Sequence, residues 1–240
     1  MLSRGERRRF TLGVATLLGF RRGFFIPARF AAVASTGNDD RSYPPLKPLF
    51  AAARGRFEAW IAGVEGYADA LQALKGTPPS PRWDQDWFPG LDAAIAYTII
   101  RTLRPARLVE VGAGHSTRFF LRAAADAGYP LALTAIDPAP RADLGAAGVH
   151  LLRTTVQDTR EAPFAALGPG DVLSIDSSHV LMPGSDVDML VNRILPLLPA
   201  GAIVHIHDIF LPDPYPAAWA WRGYNEQQGV AALLQGSAWR

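Results

Sequence analysis

The sequence predicts an α/β fold, a doubly wound, mainly parallel Rossmann-like sheet in the order 3-2-1-4-5, preceded by a helical extension. Two observations predict it. Short apolar runs typical of buried strands alternate with helix-length segments along residues 91–234. Each strand whose end can be recognised is followed by a glycine turn or an acidic residue. Such alternation implies right-handed βαβ crossovers, which place helices on both faces of a parallel sheet.

The composition favours a globular chain. It has 240 residues, enough to bury a full core, and 49% of them are hydrophobic while 19% are charged. The net charge is only +2, and much of the basic excess lies near the amino end, which argues against a nucleic-acid partner bound across the domain. Because the chain has no cysteine, disulfides and thiolate metal sites are excluded.

The amino-terminal residues 1–48 are predicted to be a basic extension and linker, and residues 49–240 one domain. The apolar run that ends at Phe20 is too short to be a transmembrane segment. We expect a basic amphipathic helix that packs on the domain, on a partner subunit or weakly on an anionic membrane surface, or that stays solvated. The run Arg7–Phe10 and the small residues Ala31–Ala34 leave a twin-arginine export signal as an alternative.

Two helices are predicted before the first strand. Apolar residues recur at helical spacing from Leu49 to about Leu74, and Leu91 to Leu103 leads into the strand. The aromatic residues between them, Trp83, Trp87 and Phe88, are predicted to line a ligand site or to pack in the core.

The first strand and its glycine turn organise the rest of the chain. Leu108, Val109 and Val111 form the apolar run of a strand covered on both faces. Gly112 and Gly114 allow a sharp turn and a close approach to a ligand, since neither has a Cβ. Ser116 or Thr117 is expected to cap the helix that follows, to about residue 127. A strand–turn–helix unit of this kind forms a cofactor pocket at the carboxyl edge of a parallel sheet.

Four more strands are predicted, and their carboxyl ends carry polar residues. The strands are Leu131–Ile136, Val149–Arg153, Asp171–Ile175 and Ala202–His207. Helices are expected from Ser185, as the cap, to Leu198, and from Asn225 to Leu234. The polar residues are Asp137, Asp158, Asp176 and the pair His207 and Asp208. Ligands bind along this edge in open α/β sheets.

The turn differs from a dinucleotide fingerprint. Thr117 stands where that fingerprint has its third glycine, and Glu110, two residues before Gly112, suits a ligand with a cationic amino-acid end. Asp137, 25 residues after Gly112, is placed to accept both hydroxyls of a ribose, with a helix cap as the alternative. Asp158 is either a second ligand contact or a cap.

The strongest chemical signal is a pair of motifs, Asp176–His179 and His205–Asp208. They end the fourth and fifth strands, which are neighbours in the predicted sheet. Carboxylates and imidazoles that converge there suit either divalent-metal binding or abstraction of a proton, with structural hydrogen bonding as the alternative.

The run Glu110–Thr117 resembles motif I of class I S-adenosylmethionine (SAM) methyltransferases. The runs Ile175–His179, Gly184–Val187 and Val204–Pro212 resemble the bacterial group that includes metal-dependent macrolide-sugar O-methyltransferases and cephalosporin-hydroxylase-like proteins. This resemblance covers about residues 83–221. It implies a cytoplasmic enzyme that methylates a hydroxyl of a small molecule.

The resemblance also implies roles for individual residues. The cofactor SAM would be contacted by Glu110, Gly112, Gly114, Ser116, Asp137 and Asp158. A divalent metal would be held by Asp176, His207 and Asp208, and His179 would be the catalytic base beside Asp176. His207 replaces a glutamate of that group, so Mn, Fe or Zn would fit as well as Mg, or His207 would not ligate.

Two other functions remain open at this point. An NAD(P)-dependent oxidoreductase shares the fold, although Thr117 and the pair Asp176 and Asp208 argue against it. A non-catalytic SAM-fold subunit or scaffold would fit a sheet that lacks the usual antiparallel strand pair after the fifth strand. Either the sheet ends with five strands, or the amino-terminal extension or a partner chain covers that edge. A homo-oligomer formed through the extension or the open edge is one expectation. A truncated gene product is a further explanation.

Overall fold

Five parallel strands form one sheet in the order β3-β2-β1-β4-β5, which confirms the predicted architecture. The computed structural model describes residues 3–20, 22–24, 42–77, 79–144, 148–159 and 162–236, so the small residues Ala31–Ala34 lie outside the described residues. The strands are β1 Arg107–Val111, β2 Ala132–Ile136, β3 His150–Leu152, β4 Val172–Ile175 and β5 Ile203–Ile206.

The register aligns the carboxyl ends of the strands. Val111 of β1 pairs with Ile136 of β2 and with Ile175 of β4, and Ile175 pairs with Ile206 of β5. Every residue of β4 is buried, as is all of β1 after its first residue. Central parallel strands covered on both faces read as continuous apolar runs, which is why the sequence predicts them well.

The helices differ from the predictions mainly at their ends. Their bounds are α1 Arg4–Leu17, α2 Lys47–Gly66, α3 Ala68–Gln72, α4 Gly90–Leu103, α5 His115–Asp126, α6 Ala162–Ala165, α7 Asp186–Met189 and α8 Glu226–Gly236. The long first helix of the domain is broken at Tyr67 into α2 and α3.

The helix predicted from Ser185 to Leu198 changes its winding along its length. Ser185 caps α7 by accepting a hydrogen bond from the backbone N–H of Asp188, as predicted. The chain then continues as a π-helical segment, Leu190–Ile194, and a 3-10 turn, Leu195–Leu197. Pro196 lies in this last turn, where proline has no N–H to donate to the preceding turn.

Separate apolar clusters cover the two faces of the sheet. On one face α4 and α5 pack against β1 and β2, with Tyr97, Phe88 and Phe119 among the largest buried side chains. On the other face Leu190 and Ile194 pack against Leu173 and Ile175 of β4. The sheet is therefore covered on both sides, and its carboxyl edge remains as the place for a ligand.

The sheet ends at β5, since no strand follows it within residues 207–236. The chain after β5 forms the 3-10 segment Ala217–Arg222 and then α8. Ile206 of β5 packs against a cluster formed by Leu46, Leu211 and Val230. Helix α8 and the turn before α2 therefore shield part of this side of the sheet.

The predicted basic extension begins with helix α1, which contacts the segment Ala217–Arg222. The guanidinium of Arg9 donates a hydrogen bond of 2.9 Å to the carbonyl oxygen of Ala220. None of the described helices is long and apolar enough to cross a membrane.

Candidate active site

A cavity of about 640 Å³ opens at the carboxyl edge of the sheet. Segments that follow all five strands line it, and helix α4 and the segment Ala217–Arg222 close its sides. The sequence-predicted residues that line it are Gly112, Gly114, Ser116, Asp137, Asp176, His179, His207 and Asp208. The polar strand ends therefore share one site, as the strand order requires.

The glycine turn lies directly against the chain that leaves β4. Gly112 has φ +84°, and a Cβ there would lie 1.8 Å from the carbonyl oxygen of Asp176. The backbone N–H of Asp176 donates to the carbonyl of Val111 at 2.8 Å, which fixes this approach. Only glycine fits at position 112, because both the backbone conformation and the available space exclude a side chain.

Glu110 is buried beneath the turn and lies outside the cavity lining. It is 1% exposed, and its carboxylate accepts hydrogen bonds of 2.5 Å from the hydroxyls of Ser116 and Thr117. Burial raises the pKa of Glu110 to about 8, and these two hydrogen bonds only partly oppose that rise. In the structure Glu110 holds the glycine turn and the start of the following helix together. This differs from the predicted contact with a cationic ligand group.

The prediction that Ser116 or Thr117 caps the following helix is wrong. Helix α5 begins at His115, so Ser116 and Thr117 lie within its first turn. The hydroxyl of Thr117 accepts a 3.0 Å hydrogen bond from the backbone N–H of Gly114 while it donates to Glu110. A buried carboxylate competes successfully for both hydroxyls, and this contact cannot be recognised from local capping rules.

Asp137 joins the ends of β1 and β2. One of its carboxylate oxygens accepts from the N–H of Ala113 at 2.8 Å, and the other accepts from the N–H of Ala139 at 2.7 Å. The side chain lines the cavity, and each carboxylate oxygen has a further lone pair for a ligand. Asp158 is placed differently, because it accepts from the hydroxyl of Thr155 and is outside the lining, whereas Thr155 itself lines the cavity.

His179 is the most constrained side chain of the site. Its Nε2 lies 3.2 Å from a carboxylate oxygen of Asp176 and 3.7 Å from one of Asp208. Its Nδ1–H donates at 2.8 Å to Glu226, which is 1% exposed. The ring is therefore held at Nδ1 by a buried carboxylate, and Nε2 points toward the two carboxylates of the cavity.

Glu226 is a site residue that sequence reasoning missed. It begins α8, and its backbone N–H and that of Asn225 both point to the carbonyl oxygen of His179, at 3.2 and 3.0 Å. The side chain of Asn225 also pairs with the backbone of Leu181 through two hydrogen bonds. The start of α8 thus fixes the loop that carries His179, a contact across 47 residues that no local pattern indicates.

His207 occupies the neighbouring position at the end of β5. Its Nδ1 lies 3.5 Å from oxygens of both Asp176 and Asp208, and its Nε2 lies 3.3 Å from Asp92 of α4. Phe88 packs against its ring with 5.0 Å between centroids. Asp92 was also missed, since an acidic residue in the first turn of a helix has an ordinary role there.

The charges of this cluster are strongly coupled. Burial alone would lower the pKa of His179, but its contacts with Asp176 and Glu226 outweigh burial and raise the pKa to about 9. Burial of His207 is likewise outweighed by Asp176 and Asp92, and its pKa rises to about 10. Burial would raise the pKa of Asp176, yet the two imidazoles hold it well below its usual range.

Burial determines the direction of the pKa shift of two other groups, His205 and Asp208. Burial lowers the pKa of His205 to about 4, so this ring is neutral at physiological pH. Burial also raises the pKa of Asp208, and the neighbouring imidazoles of His207 and His179 only partly oppose that rise.

Backbone strain is concentrated at the same place. His179 and Asp208 have φ values of +59° and +57°, a region that residues with a side chain seldom adopt. Such conformations persist where the surrounding contacts determine them, and they cluster at functional sites. Here the hydrogen bonds from α8 supply those contacts for His179.

The three predicted metal ligands converge, but their geometry does not support a metal. Asp176 and Asp208 face the imidazole nitrogens of His179 and His207 directly. Among the residues that the structure describes, no group of three or more His, Asp or Glu side chains is arranged to hold a metal ion. The prediction of a divalent cofactor at Asp176, His207 and Asp208 therefore gains no support.

The predicted aromatic residues divide between core and cavity. Phe88 is 2% exposed, packs in the core and also borders the cavity. Trp83 lies outside the cavity lining, and its indole N–H donates to the carbonyl of Leu71. Trp87 lines the cavity, with the guanidinium of Arg141 4.1 Å from its ring centre. On the other side Trp219 lines it, with Arg222 at 4.1 Å.

Residues 109–209 match a protein-family model described as a methyltransferase domain. The matched segment runs from β1 to just beyond Asp208, so it contains the glycine turn and the whole His–Asp cluster except Glu226 and Asp92. This part of the chain is therefore similar to a methyltransferase domain. The cavity occupies the edge of the sheet at which open α/β folds bind ligands.

Comparison with individual proteins adds one structure. The chain is similar to the S-adenosylhomocysteine (SAH)-bound Podospora anserina methyltransferase PaMTH1, with 16% sequence identity, a TM-score of 0.40 and coverage of 89% of each chain. No curated protein matches the sequence.

Proposed function

We propose that this protein is a methyltransferase that transfers the methyl group of SAM to a hydroxyl group of a small molecule. The single observation that carries the proposal is the placement of His179. An imidazole anchored by a buried glutamate lies at the same cavity as the glycine turn and Asp137. Such an arrangement suits removal of a proton next to a bound nucleoside.

The donor is proposed to lie across the ends of β1 and β2. The turn at Gly112 and Gly114 leaves backbone exposed to the cavity, and Asp137 has free lone pairs for the two ribose hydroxyls. Beyond β3 the lining is formed by residues 154–157, so the adenine would contact this segment. Asp158 would then act by orienting the hydroxyl of Thr155.

Proton removal is the step for which we propose His179. The acceptor oxygen forms a bond to the methyl carbon while the carbon–sulfur bond breaks, and its electron pair stays on sulfur to give SAH. The proton of the acceptor hydroxyl passes to Nε2 of His179. Glu226 stabilises the resulting imidazolium through Nδ1, as a buried carboxylate does for a catalytic histidine.

No step of this mechanism runs through a metal, because the carboxylates of Asp176 and Asp208 are engaged with imidazole nitrogens. These carboxylates instead hold the base in place and favour its charged form. Positioning of acceptor and donor in the cavity supplies the remaining acceleration.

Transfer of a tritiated methyl group from SAM to a panel of catechols, sugars and other small alcohols tests the proposal. His179→Ala should lower the rate about 100-fold or more, in the range of general-base catalysis, while SAH still binds in calorimetric titration. His150→Ala is the matched control, since His150 is exposed at the start of β3. An unchanged rate in His179→Ala removes this residue from the mechanism, and SAH binding without transfer to any hydroxyl favours the scaffold function.

A further inference from the structure

Helix α1 carries a surface that the α/β domain does not use. The helix meets the domain at Gly5, where a Cβ would lie 2.8 Å from the ring of Trp221, and at Arg9, which donates to the carbonyl of Ala220. None of its side chains is buried. The contact is therefore one-sided, and most of the helix surface faces away from the domain.

The surface turned away from Gly5 is apolar. Phe10, Val14, Leu17 and Leu18 follow one another at the spacing that places residues on one side of a helix. With 3.6 residues per turn, this side is opposite Gly5. We call these four residues the α1 stripe. They are 67%, 40%, 62% and 71% exposed.

The exposed apolar residues are concentrated rather than scattered. Fourteen large hydrophobic side chains of the described chain are exposed, and seven of them lie between residues 10 and 24. Phe20 extends the α1 stripe beyond the end of the helix, at 63% exposure, whereas Phe24, at 54% exposure, borders the cavity at the edge of the sheet. Single exposed apolar residues need no explanation, whereas a contiguous patch of this kind marks an interaction surface.

The charge of the same segment identifies the chemistry of its partner. Residues 1–24 contain six arginines and one glutamate, a net charge of +5. The remainder of the chain has 18 basic and 21 acidic residues, a net charge of −3. The single acid, Glu6, is engaged in the cap of α1, where it accepts from the N–H of Ser3 at 2.7 Å. The positive charge thus belongs to the segment and not to the domain.

We propose that α1 lies on the surface of an anionic lipid bilayer, with the α1 stripe in the boundary between headgroups and acyl chains. Arginines that flank an apolar helix face pair with lipid phosphates while the large apolar residues enter the boundary. The helix has 14 residues, too few to span a bilayer, so it lies in the plane of the surface. This proposal does not depend on the proposed methyl-transfer reaction.

Sedimentation of the full chain with lipid vesicles tests the apolar part of the proposal. The protein should sediment with vesicles of phosphatidylcholine and phosphatidylglycerol, and much less with phosphatidylcholine alone. Combining Phe10→Ser with Leu17→Ser should weaken binding roughly 30-fold, because two large side chains no longer enter the boundary. The matched control combines Phe57→Ser with Ile61→Ser on α2, which removes apolar residues that are 48% and 42% exposed and should leave binding unchanged.

A second pair of variants tests the charge. Arg7→Gln with Arg8→Gln should weaken binding roughly 25-fold at low salt, at about fivefold for each arginine near an anionic surface. Arg54→Gln with Arg56→Gln on α2 is the control, and added salt should release the unmodified protein. Far-ultraviolet circular dichroism and intact-mass measurement verify that each variant is folded and keeps residues 1–24.

Three results would overturn the proposal. The first is failure of the intact protein to sediment with anionic vesicles at low salt. The second is an equal loss of binding in the α2 control variants. The third is an intact protein that does not bind vesicles and that light scattering shows to be a dimer, while the variant with Phe10→Ser and Leu17→Ser is a monomer. A second copy of the chain would then be the partner.

Discussion

Replacement of Gly112 by alanine tests how tightly the glycine turn is held against the chain after β4. The new Cβ would lie 1.8 Å from the carbonyl oxygen of Asp176 and 2.8 Å from its carbonyl carbon, so the two segments must separate. Overpacking of this kind costs about 1–3 kcal/mol. The φ of +84° adds about 1–2 kcal/mol for a residue with a side chain. We expect a total loss of about 2–5 kcal/mol in the free energy of unfolding.

Gly170→Ala separates these two contributions. Gly170 has nearly the same φ, +82°, but a Cβ there meets no atom within 4 Å. Its substitution should therefore cost only the conformational part, about 1–2 kcal/mol, and leave the binding of SAH intact. Urea denaturation measures the stabilities, and calorimetric titration measures SAH binding. Equal losses of stability in the two variants, or normal SAH affinity in Gly112→Ala, would refute the close packing of the turn.

Three further predictions follow from the buried charges. If His179 is the base, its raised pKa of about 9 means that kcat/KM increases about tenfold per pH unit from pH 6 and levels near pH 9; a flat profile of methyl transfer would contradict this. Glu226→Gln removes one of the charges that raise this pKa, so the profile should level at lower pH and kcat should fall while KM for SAM changes little. An unshifted profile would show that Glu226 does not act through His179. Burial raises the pKa of Glu110 from 4.5 to about 8, so between these values the folded chain binds more protons than the unfolded chain and stability falls as pH rises. Glu110→Gln should abolish this slope in urea denaturation at pH 5 and pH 8, and persistence of the slope would assign it to another group.

Much of the fold can be predicted from the sequence because the patterns that indicate its strands are local. The strands β1 and β4 are covered on both faces and mostly apolar, so the sequence predicts their bounds to within one residue. The strand order then places Asp137, Asp176 and Asp208 at one edge, which the structure confirms. Parallel strands whose carboxyl ends share one edge make this part of the site a consequence of topology.

The remaining features depend on contacts between distant residues. Glu110 binds the hydroxyls expected to cap α5, and the helix begins earlier, at His115. Glu226 approaches His179 only because α8 packs beside the loop after β4. An acid at the first position of a helix is ordinary in a sequence, and only the three-dimensional packing shows that its side chain is buried.

A crystal structure of the complex with SAH would test the central claim most directly. We predict that the ribose hydroxyls bind Asp137, that the backbone of Gly112 and Gly114 lies against the amino-acid end, and that the sulfur faces Nε2 of His179. An SAH molecule bound elsewhere, or one whose sulfur points away from His179 and Asp208, would contradict the proposed reaction at this sheet edge.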